Sequence, residues 1–176
     1  MNKAQKIILI VSITVIVLLI LFFFYRQQQL KNEMPKHYTI ADAQTGLAAV
    51  AAKYGTDMAA TVEKMYRLET ANFTSKQYVL TGTPGMEAGK WGMFRYGYLI
   101  GSYPTVPLND NQVGDQRKFI VFPSVTDAML FLSAYINFYN GNYARWNSLN
   151  PTAQAEYRNR VQGLTASIVQ QQNNLA

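Results

Sequence analysis

The longest hydrophobic stretch of the chain runs from Ile7 to Tyr25 and contains no charged residue. At about 1.5 Å per residue, a helix of this length spans about 28 Å, close to the hydrocarbon thickness of a bilayer. A cleaved signal peptide is the main alternative, but no small-x-small cleavage site follows the apolar run. The pattern therefore predicts an uncleaved transmembrane helix at residues 7–25, behind a short tail at residues 1–6.

Helical periodicity returns beyond a polar linker predicted at residues 26–38. The remaining residues, 39–176, are one ordinary domain's length of chain. Two helices are expected first, from Thr39 to Lys53 and from Thr56 to Glu69 or Thr70, on either side of Gly55. Thr39, followed by an acid three residues later, has the spacing of a capping box, which marks a helix start.

Two further helices are expected in the carboxyl-terminal third of the chain. Ser124, with Asp127 three residues on, predicts the start of a helix that is apolar nearly all round. Asn150 before Pro151 predicts the start of the last helix, because proline is favoured at the first helical position. An apolar face at residues 161, 164 and 168 suggests that this last helix continues to the end of the domain.

The helical period is lost between Asn72 and Pro123, where glycines and prolines mark turns. Short strands are expected at Trp91–Ile100 and Lys118–Phe122, which are rich in aromatic and β-branched residues. Helices, then an irregular lobe with strands, then helices predict an α+β fold that is mostly helical.

The composition excludes several classes of chemistry. The chain has no cysteine and a single histidine, His37 in the linker, so thiolate enzymes, zinc hydrolases and Ser-His enzymes lack their residues. No metal or cofactor is predicted. The net charge of +6 comes mostly from residues 1–36, with five Lys or Arg and one Glu, where it suits anionic lipid headgroups. The domain carries no basic stripe, so nucleic acid is not an expected partner.

One carboxylate lies on a core-facing stripe. Met58, Val62, Met65 and Glu69 follow one another at spacings of four, three and four residues on the second helix. A carboxyl group there should hold its proton to a higher pH, which suits a general acid. The other interpretation is a residue at the rim of the core, or a partner for a nearby cation such as Arg67.

The segment around this carboxylate resembles the catalytic segment of the lysozyme superfamily. In Tyr66–Ser75 (YRLETANFTS) a helix ends in Glu69, a small hydroxylated residue follows, and an aromatic residue comes shortly after. The later Trp91–Phe94 resembles the glycine-apolar-Met segment of lytic transglycosylases, although Phe94 stands where the usual residue is Gln.

A second stretch is similar to the carboxyl half of glucosaminidase-type domains of glycoside hydrolase family 73. It consists of Phe122–Ala128 (FPSVTDA), an apolar helix, the turn Gly141–Trp146 (GNYARW) and a closing helix around Tyr157–Val161. The two stretches together cover residues 45–168 in the family's order. The resemblance implies a lysozyme-like domain that cuts the glycan strands of peptidoglycan, as an endo-glucosaminidase, a muramidase or a lytic transglycosylase.

The resemblance also implies roles for individual residues. Glu69 would protonate the glycosidic oxygen, while Tyr143 and, more weakly, its neighbour Asn142 would line the sugar-binding cleft. Tyr143 has an equally good interpretation as an aromatic residue that closes a turn. Tyr96, in an aromatic run, would supply a stacking surface, although an ordinary strand residue is the simpler explanation.

The second carboxylate of a two-carboxylate hydrolase has no clear counterpart in the sequence. Such an enzyme needs a base or nucleophile about 5 to 9.5 Å from the acid. Glu87, Asp110 and Asp115 lie in the irregular lobe, and Glu87 is our choice among them. A lytic transglycosylase needs only one carboxyl group, so hydrolase and lyase both stay open.

The alternatives differ in function class and in location. The same fold without catalysis would serve as a glycan-binding or structural component of a membrane or virion, and a domain that only docks a partner is a third possibility. Basic residues flank both ends of residues 7–25, so they do not fix the orientation. A bacterial inner membrane with the domain outside the cytoplasm, and the internal membrane of a phage virion, both fit the pattern.

Overall fold

The computed structural model describes residue 5 and residues 13–25, 37–86, 105–109 and 116–175. The chain divides into two compact units, Met1–Glu33 and Met34–Ala176. Residues 13–25 of the first unit form a helix, α1, with exposed side chains. Among the described residues, no helix has both the length and the apolar character needed to cross a membrane. Residues 7–12 of the predicted span lie outside the described residues.

The second unit opens with two helices at the predicted positions. Helix α2 is Ile40–Tyr54 and helix α3 is Thr56–Glu69. The capping box is present, since the Asp42 carboxylate accepts a hydrogen bond from the Thr39 backbone N–H at 2.7 Å. Gly55 separates the two helices with a φ of 89°, a left-handed value that only glycine adopts without strain.

The region between residues 72 and 123 contains a helix that periodicity did not predict. Helix α4, Lys76–Thr81, is capped by the Ser75 hydroxyl, which accepts from the Tyr78 N–H at 3.2 Å. Six residues are too few to show a helical period, so the prediction of an irregular stretch was wrong here.

Strand structure is sparse in the described residues. Strands β1, Thr105–Asn109, and β2, Gln116–Ile120, form a two-stranded antiparallel ribbon in which Thr105 pairs with Ile120. Strand β2 overlaps the predicted Lys118–Phe122, whereas the predicted strand at residues 91–100 lies outside the described residues. The domain is therefore mostly helical, as predicted, but the described part of the expected β lobe is reduced to this ribbon.

The carboxyl-terminal third begins its helices where the caps predicted them. Helix α5 is Val125–Phe138, a 3₁₀ helix follows at Tyr143–Trp146, and helix α6 is Pro151–Gln162. The Asn150 side chain accepts from the N–H groups of residues 152 and 153. The predicted continuous last helix is wrong, because the chain turns at residues 163–166 and a separate helix α7 runs over Ser167–Asn174.

Helices α2, α3 and α5 form the centre of the domain, and α6 and α7 pack against α3. Gly46 marks a close approach of α2 to α5, because a Cβ atom at this position would lie 2.7 Å from the Met129 sulfur. The core includes the following fully buried side chains from all three central helices: Leu47, Val50, Val62, Met65, Tyr66, Met129, Phe131, Leu132 and Ile136.

Candidate acid site at the end of helix α3

Glu69 is the last residue of α3 and lies partly buried at the end of the apolar stripe. Val62 and Met65 of that stripe are fully buried, as the spacing predicted, and Met58 is partly buried. Burial raises the pKa of the Glu69 carboxyl above its ordinary value. The physical cause is desolvation, which disfavours the charged form.

The backbone immediately after Glu69 makes a left-handed turn. Ala71, Asn72 and Phe73 have φ values of 47°, 57° and 66°, and none of them is a glycine. A non-glycine residue in this region is disfavoured by roughly 1–2 kcal/mol. Three in succession persist only where the surrounding structure holds them.

Thr70 is the residue that holds this turn. Its buried hydroxyl donates to the Tyr66 carbonyl oxygen and accepts from the Phe73 backbone N–H at 2.9 Å. The Thr70 carbonyl oxygen also accepts from the N–H groups of Thr74 and Ser75, each at 2.9 Å. One small hydroxylated residue therefore satisfies the backbone on both sides of the turn.

Phe73 anchors the turn to the core. Its ring stacks on Tyr66, with centroids 6.1 Å apart, and meets the edge of Tyr78 at 5.5 Å. The Arg67 guanidinium lies 5.4 Å from the Phe73 ring centroid. The aromatic residue that follows the acid in sequence therefore anchors the turn after helix α3 in the buried core.

Arg67 does not pair with Glu69. Its guanidinium forms a salt bridge with Glu63 one helical turn earlier, with an N–O distance of 2.7 Å. The interpretation of Arg67 as a partner for Glu69 is therefore wrong, because Glu63 lies at the i−4 position, where side chains on a helix meet. No other salt bridge occurs among the described residues, so Glu69 has no basic partner in direct contact there.

Among the described residues, the neighbours that shift the pKa of Glu69 are both on α6. The nearby Tyr157 side chain and the positive charge of Arg160 each lower this pKa, and burial outweighs them. Tyr157 and Arg160 are three residues apart and so share one face of α6. Neither residue was a predicted site residue.

The Tyr157 hydroxyl is unusual in its surroundings. The side chain is only 2% exposed. Among the described residues, its hydroxyl is the one buried side-chain polar atom with no hydrogen-bond partner of normal geometry. It nevertheless lies close enough to Glu69 for the carboxylate, in addition to burial, to raise the pKa of the Tyr157 phenol.

Tyr143 belongs to the same neighbourhood. Its ring centroid lies 6.5 Å from that of Tyr157, the side chain that also neighbours Glu69. Burial raises the pKa of Tyr143, and Arg158 and Gln162 oppose this rise. Tyr157, which was not a predicted site residue, therefore neighbours both Glu69 and Tyr143.

The Asn142 side chain is hydrogen-bonded to α6. Its side-chain amide donates to Gln154 at 3.2 Å, and its carbonyl oxygen accepts from Arg158 at 2.9 Å. These contacts join the turn before the 3₁₀ helix to α6. The amide thus fixes the turn from which Tyr143 projects, and the predicted role of Asn142 in sugar binding stays a prediction.

The remaining predicted site residues, Glu87 and Tyr96, lie outside the described residues, as do Asp110 and Asp115. The part of the chain that the structure describes contains no cluster of His, Cys, Asp or Glu able to hold a metal ion. A groove of about 390 Å³ opens between the first half of α3 and α7, and Glu69 does not line it.

Comparison of the chain with protein-family models, with curated proteins and with solved structures found no match. A function for the site must therefore be argued from its own residues.

Proposed function

We propose that the domain is a lysozyme-like glycosidase that cuts the glycan strands of peptidoglycan, with Glu69 as the general acid. The observation that carries the proposal is a partly buried carboxyl group with a raised pKa and no basic side chain in direct contact among the described residues. Such a group keeps its proton closer to neutral pH than an ordinary glutamic acid does.

The chemistry follows from this proton. Glu69 gives it to the glycosidic oxygen as the bond between that oxygen and the anomeric carbon breaks, and the leaving sugar departs as a neutral alcohol. The positive charge that develops on the other sugar is then quenched by water, or by a hydroxyl of the same sugar that closes an anhydro ring. The first outcome is hydrolysis and the second is the lyase reaction. The attacking oxygen loses its proton to a carboxylate, which is Glu69 itself in a single-carboxyl mechanism.

The strained turn after Glu69 supports a functional role for the end of α3. Non-glycine residues in strained conformations of this kind cluster at active sites, ligand clamps and switch regions. Thr70 and Phe73, the hydroxylated and aromatic residues of the YRLETANFTS motif, are the residues that fix this turn. The motif therefore fixes the turn after Glu69, in addition to its resemblance to the lysozyme superfamily.

The second carboxylate decides between hydrolase and lyase. Among the described residues, neither neighbour that shifts the pKa of Glu69 is a carboxylate. The candidates Glu87, Asp110 and Asp115 lie outside the described residues. A single-carboxyl mechanism needs none of them, whereas a two-carboxylate hydrolase needs one within about 5 to 9.5 Å.

The decisive experiment compares wild type with Glu69→Gln on purified peptidoglycan. We expect wild type to release soluble glycan fragments and Glu69→Gln to lose at least about 100-fold in rate, because the loss of a positioned general acid removes about 10²–10⁴ in rate. Glu156→Gln, an exposed carboxylate on α6, is the matched control and should retain full activity. Full activity in Glu69→Gln would overturn the assignment.

Mass spectrometry of the fragments identifies the reaction. Reducing ends indicate a hydrolase, and anhydro ends indicate a lyase. In the lyase case, Glu87→Gln should leave the rate unchanged, whereas a two-carboxylate hydrolase that uses Glu87 should lose its activity.

A non-catalytic glycan-binding or structural protein is the second candidate. Two features of the sequence favour it: Phe94 stands where lytic transglycosylases usually have Gln, and the second carboxylate has no clear counterpart. In that case wild type and Glu69→Gln should sediment equally with cell walls, and neither should release fragments.

The proposed tether restricts where the enzyme works. If residues 7–25 span a membrane, a linker of about ten residues at about 3.3 Å each reaches about 35 Å. A domain outside the cytoplasm on such a linker would cut only the wall nearest to its membrane, whether that membrane belongs to a bacterium or to a phage virion.

A further inference from the structure

The Tyr157 side chain on helix α6 has a buried hydroxyl group that stabilises no other part of the described structure through a hydrogen bond. Gln154, Tyr157 and Val161 form the buried face of this helix. Gln154 uses its amide to accept from Asn142 and to donate to the Ser148 carbonyl oxygen at 2.9 Å. The Tyr157 hydroxyl, in contrast, makes no hydrogen bond of normal geometry with any described residue.

A buried hydroxyl without a partner is unfavourable by roughly 1–3 kcal/mol relative to a satisfied one. A phenylalanine would fill the same space without this penalty. Three other buried tyrosines of the domain do use their hydroxyls structurally. Tyr38 donates to the Phe122 carbonyl oxygen at 2.8 Å, Tyr66 to that of Gly82 at 3.2 Å, and Tyr78 to that of Thr39 at 2.7 Å.

We propose that Tyr157 is a positioning residue for Glu69, and that its hydroxyl donates a hydrogen bond to the Glu69 carboxylate once the carboxyl group has given up its proton. A protonated Glu69 needs little help from the phenol. The carboxylate that remains after proton transfer is charged and partly buried, so it needs a donor. The part of this inference that concerns catalysis rests on the proposed function, whereas the contact itself does not.

The electrostatics of the site agree with this assignment. Burial and the nearby Glu69 raise the pKa of the Tyr157 phenol, so the hydroxyl keeps its proton and stays a donor throughout the range in which Glu69 titrates. Arg160, on the same face of α6, adds a positive charge that also favours the carboxylate. No group on α2, α5 or α7 figures among the neighbours that shift the pKa of Glu69.

Tyr143 completes the arrangement. Its ring lies near that of Tyr157, which is on the buried face of α6. The positions that the Tyr157 ring can occupy are therefore limited. Asn142, held by Gln154 and Arg158, fixes the turn from which Tyr143 projects. Thus Tyr143 of the 3₁₀ helix helps to position the Tyr157 ring, and the Tyr157 hydroxyl in turn positions the Glu69 carboxylate.

The test measures the pKa of Glu69 by carbon NMR of its carboxyl group in the full-length chain in detergent micelles. In Tyr157→Phe we expect this pKa to rise, because the hydrogen bond that stabilises the carboxylate is lost. Tyr38→Phe, which removes another buried hydroxyl, is the matched control and should leave the pKa of Glu69 unchanged. An unchanged pKa of Glu69 in Tyr157→Phe overturns the proposal.

A second variant covers the case in which Tyr157→Phe does not fold. Incorporation of 3-fluorotyrosine at position 157 keeps the ring and the hydroxyl but makes the phenol a stronger donor. The pKa of Glu69 should then fall below the wild-type value. A value equal to that of wild type contradicts the proposal.

Kinetics separate this inference from the proposed function. If wild type cleaves peptidoglycan, Tyr157→Phe should shift the basic limb of the pH profile upward and lower kcat by about tenfold, while KM changes by less than about twofold. If wild type shows no cleavage, the proposed function fails, yet the NMR titration still decides whether Tyr157 hydrogen-bonds to Glu69.

Discussion

The residues that surround Glu69 divide into those that set its position and those that set its charge. Thr70 and Phe73 belong to the first group, because they hold the left-handed turn that ends α3. Tyr157 and Arg160 belong to the second, because they favour the carboxylate against the effect of burial. The first group is local in sequence, and the second lies about ninety residues away.

Thr70→Val tests the local group. Valine keeps the shape of threonine but leaves the buried Phe73 N–H without an acceptor, so we expect the free energy of unfolding to fall by about 2 kcal/mol. The turn should also loosen, and the rate of any glycan cleavage should fall. Chemical denaturation of the variant measures the change in the free energy of unfolding.

Thr45→Val is the matched control for this change. Thr45 is exposed on α2 and donates only to the Ala41 carbonyl oxygen within its own helix. We expect its effect to stay within about 0.5 kcal/mol. Equal effects of the two substitutions would show that the Thr70 hydroxyl does not hold the turn.

The local group was accessible from the sequence, and the distant group was not. The stripe of Met58, Val62, Met65 and Glu69 follows from helical spacing alone, and Val62 and Met65 are indeed buried. Tyr157 carried only a weak signal, its spacing from Gln154 and Val161 on one face of α6. Nothing in that spacing shows that its hydroxyl faces a carboxylate on another helix.

Among the helices, α7 depends most on a single side chain from elsewhere. The fully buried Glu63 carboxylate accepts from the backbone N–H groups of Ile168 and Val169, each at 2.9 Å. It therefore caps the amino end of α7, where N–H groups lack partners within the helix. Arg67 completes the link by pairing with Glu63 and donating to the Ser167 hydroxyl at 2.8 Å.

Glu63→Gln tests this cap. The substitution removes the charge that balances Arg67 and places an NH₂ group among N–H donors, so we expect a loss of about 3 kcal/mol or more in the free energy of unfolding. Hydrogen exchange should quicken at the N–H groups of Ile168 and Val169 before other core amides. Unchanged exchange at these two amides would contradict the assigned cap.

Glu156→Gln again provides the control, since Glu156 is exposed on α6. Its effect on stability should stay within about 0.5 kcal/mol. A larger loss of stability in Glu63→Gln than in Glu156→Gln would therefore come from the lost cap and not from the loss of a carboxylate in general.

Helix starts were predictable because their signals are short and local. Thr39, Ser124 and Asn150 each cap a helix where the sequence placed one. The break between α6 and α7 was missed because the apolar spacing continues through it. The chain turns after Gly163, and Glu63 holds the new helix from more than a hundred residues away. The spacing of apolar residues does not reveal a contact between residues so far apart in the sequence.

For the molecule as a whole, Glu69 is a site where stability and the proposed activity oppose each other. Folding raises the pKa of this carboxyl mainly by burying it. Below the pKa of the unfolded chain both states are protonated, and the contribution of Glu69 to stability is fully present. That contribution is lost as the pH rises through the raised pKa of the folded state, because the folded protein must then bury a charge.

Glu69→Gln should therefore be more stable than wild type at neutral pH. Glutamine keeps the shape of the protonated acid and never becomes charged, so the difference in the free energy of unfolding should grow as the pH rises through the pKa of Glu69 and vanish in acid. Urea denaturation at a series of pH values measures this difference. A variant that is less stable than wild type at neutral pH would mean that the Glu69 carboxylate stabilises the fold. A more stable but inactive variant, in contrast, is the result expected if the domain keeps an unfavourable carboxyl group for catalysis.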